Sequence, residues 1–187
     1  MNKVSGKMSD FAFMREDASR IVIGYGLTQV EKTEVYEWWE IYFYKQQTPL
    51  ISLQIVKDAI IKDINDRVDA NILCGYPWTV LHGADEGKAV KVWLSKENQG
   101  NFEAKYNLHF TNPNALTFPT EYKIAEDDNK EGIFEEFQTF EELEVFYLGG
   151  LNYIEQCYKA GWAEKKAFDW APYEALFPQT EQANAGE

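Results

Sequence analysis

Apolar side chains recur along this chain in two rhythms, and each change of rhythm marks a boundary between elements. From Arg20 onward the period is that of strands. Ile21-Val22-Ile23 is a short β-branched run interrupted by Gly24-Tyr25-Gly26. Leu27 to Lys32 and Val35 to Tyr44 then read as two strands about a tight Lys32-Thr33-Glu34 turn. In the second strand Val35, Trp39, Ile41 and Phe43 face one way, with Glu37 the exception. Tyr36, Trp38, Glu40, Tyr42 and Tyr44 face the other. Large side chains on both faces predict a strand covered on both sides, by the core and by a partner or the N-terminal segment. Thr48-Pro49 ends this region.

The period then lengthens. Leu53, Val56, Ile60, Ile64, Val68 and Ile72 recur at three- and four-residue steps, with Ile61 widening the stripe. Lys57, Asp58, Lys62, Asp63, Asp66 and Asp69 fall on the opposite face. Ser52 offers an N-cap and Gly75 a C-terminal stop, so the pattern predicts a helix over 52–74. Tyr76 to His82 and Ala89 to Leu94 form a second hairpin across 83–88. Ser95 caps a shorter helix through Asn98, Gln99, Phe102, Ala104 and Tyr106. Three short strands are predicted near Ala115–Phe118, Glu121–Ala125 and Gly132–Phe137. Thr139-Phe140-Glu141-Glu142 has the spacing of a capping box and opens a long helix ending at Gly161. Its stripe is Leu143, Phe146, Tyr147, Leu151, Ile154 and Tyr158. Gly149-Gly150 falls in mid-helix, where a close helix crossing would justify the pair. Ala163 to Asp169 adds a last turn or two.

These elements predict an α+β fold, two long helices packed on short antiparallel β-hairpins. The expected organisation is an N-terminal arm over 1–19, one domain with a single core over 20–178, and a disordered polar tail over 179–187.

Composition narrows the function. Apolar residues make up 45% of the chain, enough for a core that needs neither disulfide nor structural metal. Acids outnumber bases 31 to 18, giving a net charge of −13, and only Arg15, Arg20 and Arg67 are arginines. Nucleic acids and anionic membranes want a basic face, so neither is an expected partner. No apolar run approaches the ~20 residues of a membrane span, and Met1 to Asp10 lacks the apolar stretch of a secretory signal. Synthesis in the cytoplasm is the expectation. The acid excess reads as solubility, or more sharply as an acidic face meeting a basic partner.

Candidate chemistry is sparse. Cys74 and Cys157 lie far apart in helical contexts and read as buried free thiols, and His82 and His109 are the only histidines, too few for a zinc site. Gly24-Tyr25-Gly26 lacks the third glycine and the following helix of a phosphate-cradling loop. Ser95 follows a strand and opens a helix but is flanked by Leu94 and Lys96, not by the glycines of a nucleophile elbow. Glu135-Glu136 and Glu141-Glu142 are carboxylate pairs among many, the second favoured by the helix dipole. No catalytic residue, cofactor site or metal site is assigned. The unusual composition is the aromatic strand. Exposed Trp and Tyr rows serve as protein-interface anchors or sugar-stacking platforms, and otherwise as ordinary core. Phe11, Phe13, Tyr36, Trp38, Tyr42 and Tyr44 are the interface candidates, with the arm expected to cross a neighbouring subunit.

An ordered set of landmarks carries a resemblance. Val56-Lys57-Asp58-Ala59-Ile60-Ile61, Gly75-Tyr76-Pro77-Trp78, Trp93-Leu94-Ser95-Lys96-Glu97-Asn98-Gln99, Phe118-Pro119 and Gly161-Trp162 with Lys165 together resemble a domain-of-unknown-function family. That family occurs in bacteriophage tail-fibre-associated proteins and in prophages, including those of gut Bacteroidetes. It has no established catalytic residues to carry over. Asn98, Gln99 and Asn101 read as a structural bracket for backbone groups of neighbouring loops. The resemblance implies a non-enzymatic virion structural or accessory protein, tail- or fibre-associated, that contacts other virion proteins or further copies of itself. The alternative is a receptor- or glycan-binding module on a fibre.

Overall fold

The structure is a computed structural model that describes residues 2–47 and 50–178. The expected strand end at Thr48-Pro49 and the expected disorder over 179–187 lie outside the described residues. The fold is α+β, helices combined with short antiparallel sheets. It divides into two compact units, one made of residues up to Ile64 and from Lys165 onward, the other of Asn65–Glu164. Each has its own cluster of buried side chains, in place of the single core expected.

In the first unit, strands β1 (Asn2–Gly6), β2 (Met14–Glu16), β3 (Arg20–Gln29) and β4 (Tyr36–Tyr44) form one antiparallel sheet in the order β1-β4-β3-β2. The glycine interruption in β3 is a bulge between Tyr25 and Thr28, not a strand break, and Gly26 takes the positive φ of 67° that it requires. The alternation of β4 is as the pattern predicts. Trp39, Ile41 and Phe43 join Ile23 and Tyr25 against Val56, Ile60 and Ile64 of helix α1 (Leu53–Cys74), with Tyr173 of α4 (Ala171–Leu176). Ser52 Oγ accepts the backbone N–H of Ile55, which caps α1.

The segment before Arg20 corrects the expectation of an arm without elements of its own. Asn2–Gly6 pairs along β4 from Asn2 opposite Glu40 to Gly6 opposite Tyr36. Met14–Glu16 pairs along β3. The sequence pattern of these strands is weak because edge strands borrow their order from the free edge of a neighbour rather than from their own apolar alternation.

The second unit contains the C-terminal part of α1, hairpin β5 (Tyr76–Thr79) with β6 (Ala89–Val92), α2 (Lys96–Thr111), hairpin β7 (Thr120–Glu126) with β8 (Gly132–Phe137), and α3 (Phe140–Ala167) up to Glu164. The backbone N–H of Trp93 donates to Ile124 O at 3.2 Å, tying the end of β6 to β7. Val68, Ile72, Val92, Leu94, Phe102, Ile124, Phe137, Leu143 and Phe146 are the buried centre. The strand expected near 115–118 is absent; Pro113–Ala115 is a short 3-10 turn. Helix α3 runs through Gly161, which is buried, instead of stopping there.

Candidate functional site

The six interface candidates fall in the first unit and do not form one exposed surface. Glu40 is the reason. It lies in mid-strand on the aromatic face of β4, 2% exposed, and a carboxylate there needs donors. Arg15 supplies two, Nη1 at 2.9 Å and Nη2 at 3.0 Å, in a bidentate pair. Trp38 Nε1 at 3.1 Å and the Tyr42 hydroxyl at 2.8 Å supply two more. Phe11 meets Trp38 edge-on at 5.9 Å, and Gly6 lies against the same indole. Trp38 is therefore 2% exposed, covered by its own chain.

The second covering layer expected over β4 is the protein's own N-terminal segment. Phe13 packs edge-on against Tyr173 at 5.5 Å while remaining exposed. Tyr36 and Tyr42 are half-buried, and Arg20 lies over the Tyr42 ring at 4.7 Å. Tyr44, half-exposed at the strand end, is the one candidate on β4 that solvent reaches freely.

Sequence reasoning missed a polar cluster in the second unit. Glu135 of β8 is fully buried. Its carboxylate accepts Trp78 Nε1 at 2.6 Å and the backbone N–H groups of Leu81 at 2.8 Å and His82 at 3.0 Å. His82 Nε2 lies 3.0 Å from Glu142 Oε1 in the first turn of α3. That hydrogen bond raises the His82 pKa above its ordinary value, and His82 in turn helps hold Glu142 below the usual carboxylate range against partial burial.

Glu142 N donates to Thr139 Oγ1 at 3.3 Å, as the capping-box spacing predicts. Its carboxylate reaches the N–H of Gln138 at 2.8 Å, one residue beyond the cap. No hydroxyl or thiol among the described residues hydrogen-bonds to the His82 ring. The His82–Glu142 pair clamps the β5–β6 turn to the start of α3.

The motif from Trp93 to Gln99 is a bracket, as expected for Asn98 and Gln99, whereas Asn101, expected to join it, is exposed. Ser95 Oγ accepts Asn98 N at 3.2 Å and caps α2. The Asn98 amide donates to Trp93 O at 2.8 Å and the Gln99 amide to Leu94 O at 2.7 Å. Cys74 is exposed and Cys157 half-buried, so neither thiol is buried as expected. Among the described residues no group of three His, Cys, Asp or Glu side chains could hold a metal, and no helix is long and apolar enough to cross a membrane.

One apolar surface of the second unit is left exposed by the described residues. Helix α3 buries Leu143 and Phe146 and half-buries Tyr147 and Ile154, as its stripe predicts. Leu151 and Tyr158, placed on that same stripe, are instead exposed, together with Val145, Leu148 and Trp162. Leu148, Leu151, Tyr158 and Trp162 follow the three- and four-residue steps of a helix-pairing seam, broken only at Glu155. Tyr158 and Trp162 stack at 6.3 Å. Over 140–164 the helix carries five acids, Glu141, Glu142, Glu144, Glu155 and Glu164, against Lys159 alone.

Comparison with family models, with curated proteins and with solved structures gave no match to this chain.

Proposed function

We propose that this protein acts without catalysis, as a structural or accessory component that works through protein–protein contacts, and that the seam on α3 is one of its contact surfaces. The observation carrying this reading is the exposure of Leu148, Leu151, Tyr158 and Trp162 in helix-pairing register, with Trp162 62% exposed. A row of aliphatic and aromatic side chains at that spacing is the usual anchor set of a helix-mediated interface. Glu155 and Glu164 beside it are paired with Lys159 and Arg67, so the complementary surface is an apolar helix or groove. The setting, a bacteriophage particle, rests on the resemblance of the landmark residues, and the occupant is then another virion protein.

The test is mass spectrometry of purified particles carrying either the wild-type chain or Leu148→Asp. The wild-type chain is expected in the particles. The variant, its fold checked by circular dichroism, is expected to be lost from them. Absence of the wild-type chain from particles, or undiminished incorporation of Leu148→Asp, overturns the reading.

A further inference from the structure

The bracket motif leaves one of its side chains unexplained. Ser95, Asn98 and Gln99 direct their polar atoms at the backbone, fixing two consecutive carbonyls and the first turn of α2. Together with the Trp93 N–H bond to Ile124 O, these hold the Trp93 backbone at both its polar groups. Yet the Trp93 indole is 53% exposed. No ring of the described residues contacts it and none of their acceptors takes its N–H. The other five tryptophans are used differently: Trp38 and Trp78 donate to buried carboxylates, Trp39 packs against the core of the first unit, Trp170 packs on Phe168, and Trp162 stacks on Tyr158.

The Trp93 indole lines a groove of about 340 Å³ whose other walls include Ser95, Glu97, Asn98, Lys123 and Glu126. That volume is at the lower end of ligand pockets, roughly 300–1,000 Å³. Lys123 and Glu126 neutralise each other at 2.6 Å, so Glu97 is the remaining charge and the groove repels anions. Ile124 and Ala125 also line the groove but are buried, so the indole is the one large apolar surface it presents. It suits a ring that is apolar on its face and polar at its edge.

The geometry points to a binding site for a neutral saccharide, with a pyranose ring stacked on Trp93 and its hydroxyls donating to Glu97 and Glu126 and accepting from Lys123. The C–H groups on one face of a pyranose meet the electron-rich face of the indole, while its equatorial hydroxyls reach outward to acceptors. Holding the Trp93 backbone in place beforehand lowers the ordering cost of binding. This site uses different residues from the α3 seam and does not depend on it.

The full-length protein, screened on an array of neutral hexose and N-acetylhexosamine oligosaccharides, is expected to retain at least one. With 5-fluorotryptophan labelling and the Trp93 resonance assigned from Trp93→Phe, titration of that oligosaccharide is expected to shift the Trp93 fluorine signal. Trp93→Ala, with its fold checked by circular dichroism, is expected to weaken binding about tenfold or more, the loss typical of an aromatic anchor. Lys123→Ala is expected to weaken it by a smaller factor. Retention of no neutral saccharide overturns the proposal. So does a saccharide that binds Trp93→Ala as tightly as wild type, or one that shifts the Trp162 signal and not that of Trp93.

Discussion

The phenol oxygen of Tyr76 lies over Gly149 of α3, in the space that a Cβ at that position would occupy. The glycine pair in mid-helix thus admits an aromatic side chain from a hairpin, where the sequence had suggested a helix crossing. The two glycines are not equivalent. A Cβ on Gly150 would meet Leu94 at 3.8 Å and Tyr76 at 4.0 Å, ordinary contact distances.

Substitution at these adjacent positions is therefore expected to act in opposite directions. Gly149→Ala gains about 1 kcal/mol of helix propensity but forces Tyr76 out of its place, at a cost of about 1–3 kcal/mol for overpacking, and is net destabilising. Gly150→Ala keeps the propensity gain without the clash and is expected to stabilise by up to about 1 kcal/mol. Denaturant melts of the two single variants decide it. Equal effects would show that Tyr76 does not constrain the helix.

Glu135 is expected to dominate the stability of the second unit among its polar residues. Glu135→Gln turns an acceptor of three N–H groups into one that also presents donors to them, a loss of about 2–3 kcal/mol. Glu135→Ala leaves the Trp78, Leu81 and His82 donors unpaired and is expected to cost more. Chemical denaturation with Glu136→Gln as the control measures both. A loss at Glu135 no larger than at Glu136, which is half-exposed, would mean that the buried carboxylate contributes nothing particular.

The His82–Glu142 pair predicts a pH window. His82 has a raised pKa, so its contribution is complete below its ordinary value of 6.5 and is lost as pH rises through the folded-state value. Glu142 has a lowered pKa, so its contribution is present above its ordinary value of 4.5 and is lost as pH falls. Both operate between about pH 4.5 and 6.5. The midpoint of unfolding of wild type relative to His82→Gln is expected to be highest in that window and to converge at higher pH. A difference that does not vary with pH would show that the pair adds no charge-dependent stability.

Arg15 adds a side-chain anchor to the strand pairing that holds the N-terminal segment to its sheet. Arg15→Ala leaves Glu40 buried with only Trp38 and Tyr42 as donors. Because Arg15 is about half exposed, the cost is discounted to about 1–3 kcal/mol. The same variant is expected to open the bonds between Lys7 and Phe13 to protease, while wild type is protected there. Limited proteolysis read by mass spectrometry compares them. Equal cleavage of the two proteins would mean that the segment is held by strand pairing alone.

Much of this architecture is local and was legible in the sequence. The three- and four-residue period of Val56, Ile60, Ile64, Val68 and Ile72 defines α1. The Ser52, Ser95 and Thr139 hydroxyls mark helix starts, and strict alternation sorts the faces of β4. Each of these signals is set by neighbours within one or two turns or a few residues of strand, where backbone geometry alone decides which side chains share a face. The amides of Asn98 and Gln99 belong with them, since they reach carbonyls five residues back.

What only the tertiary structure decided involves partners far apart in the chain. Glu135 draws its donors from positions 53 to 57 residues earlier, and Glu40 draws Arg15 across 25 residues. No periodicity encodes such meetings. One helical stripe on α1 serves two separate cores, because a stripe records that a face is apolar and not what covers it. For the same reason Leu151 and Tyr158 share the period of Leu143 and Phe146 yet remain in solvent. The pattern along α3 marks which residues can be buried; the elements that fold against it determine which of them are.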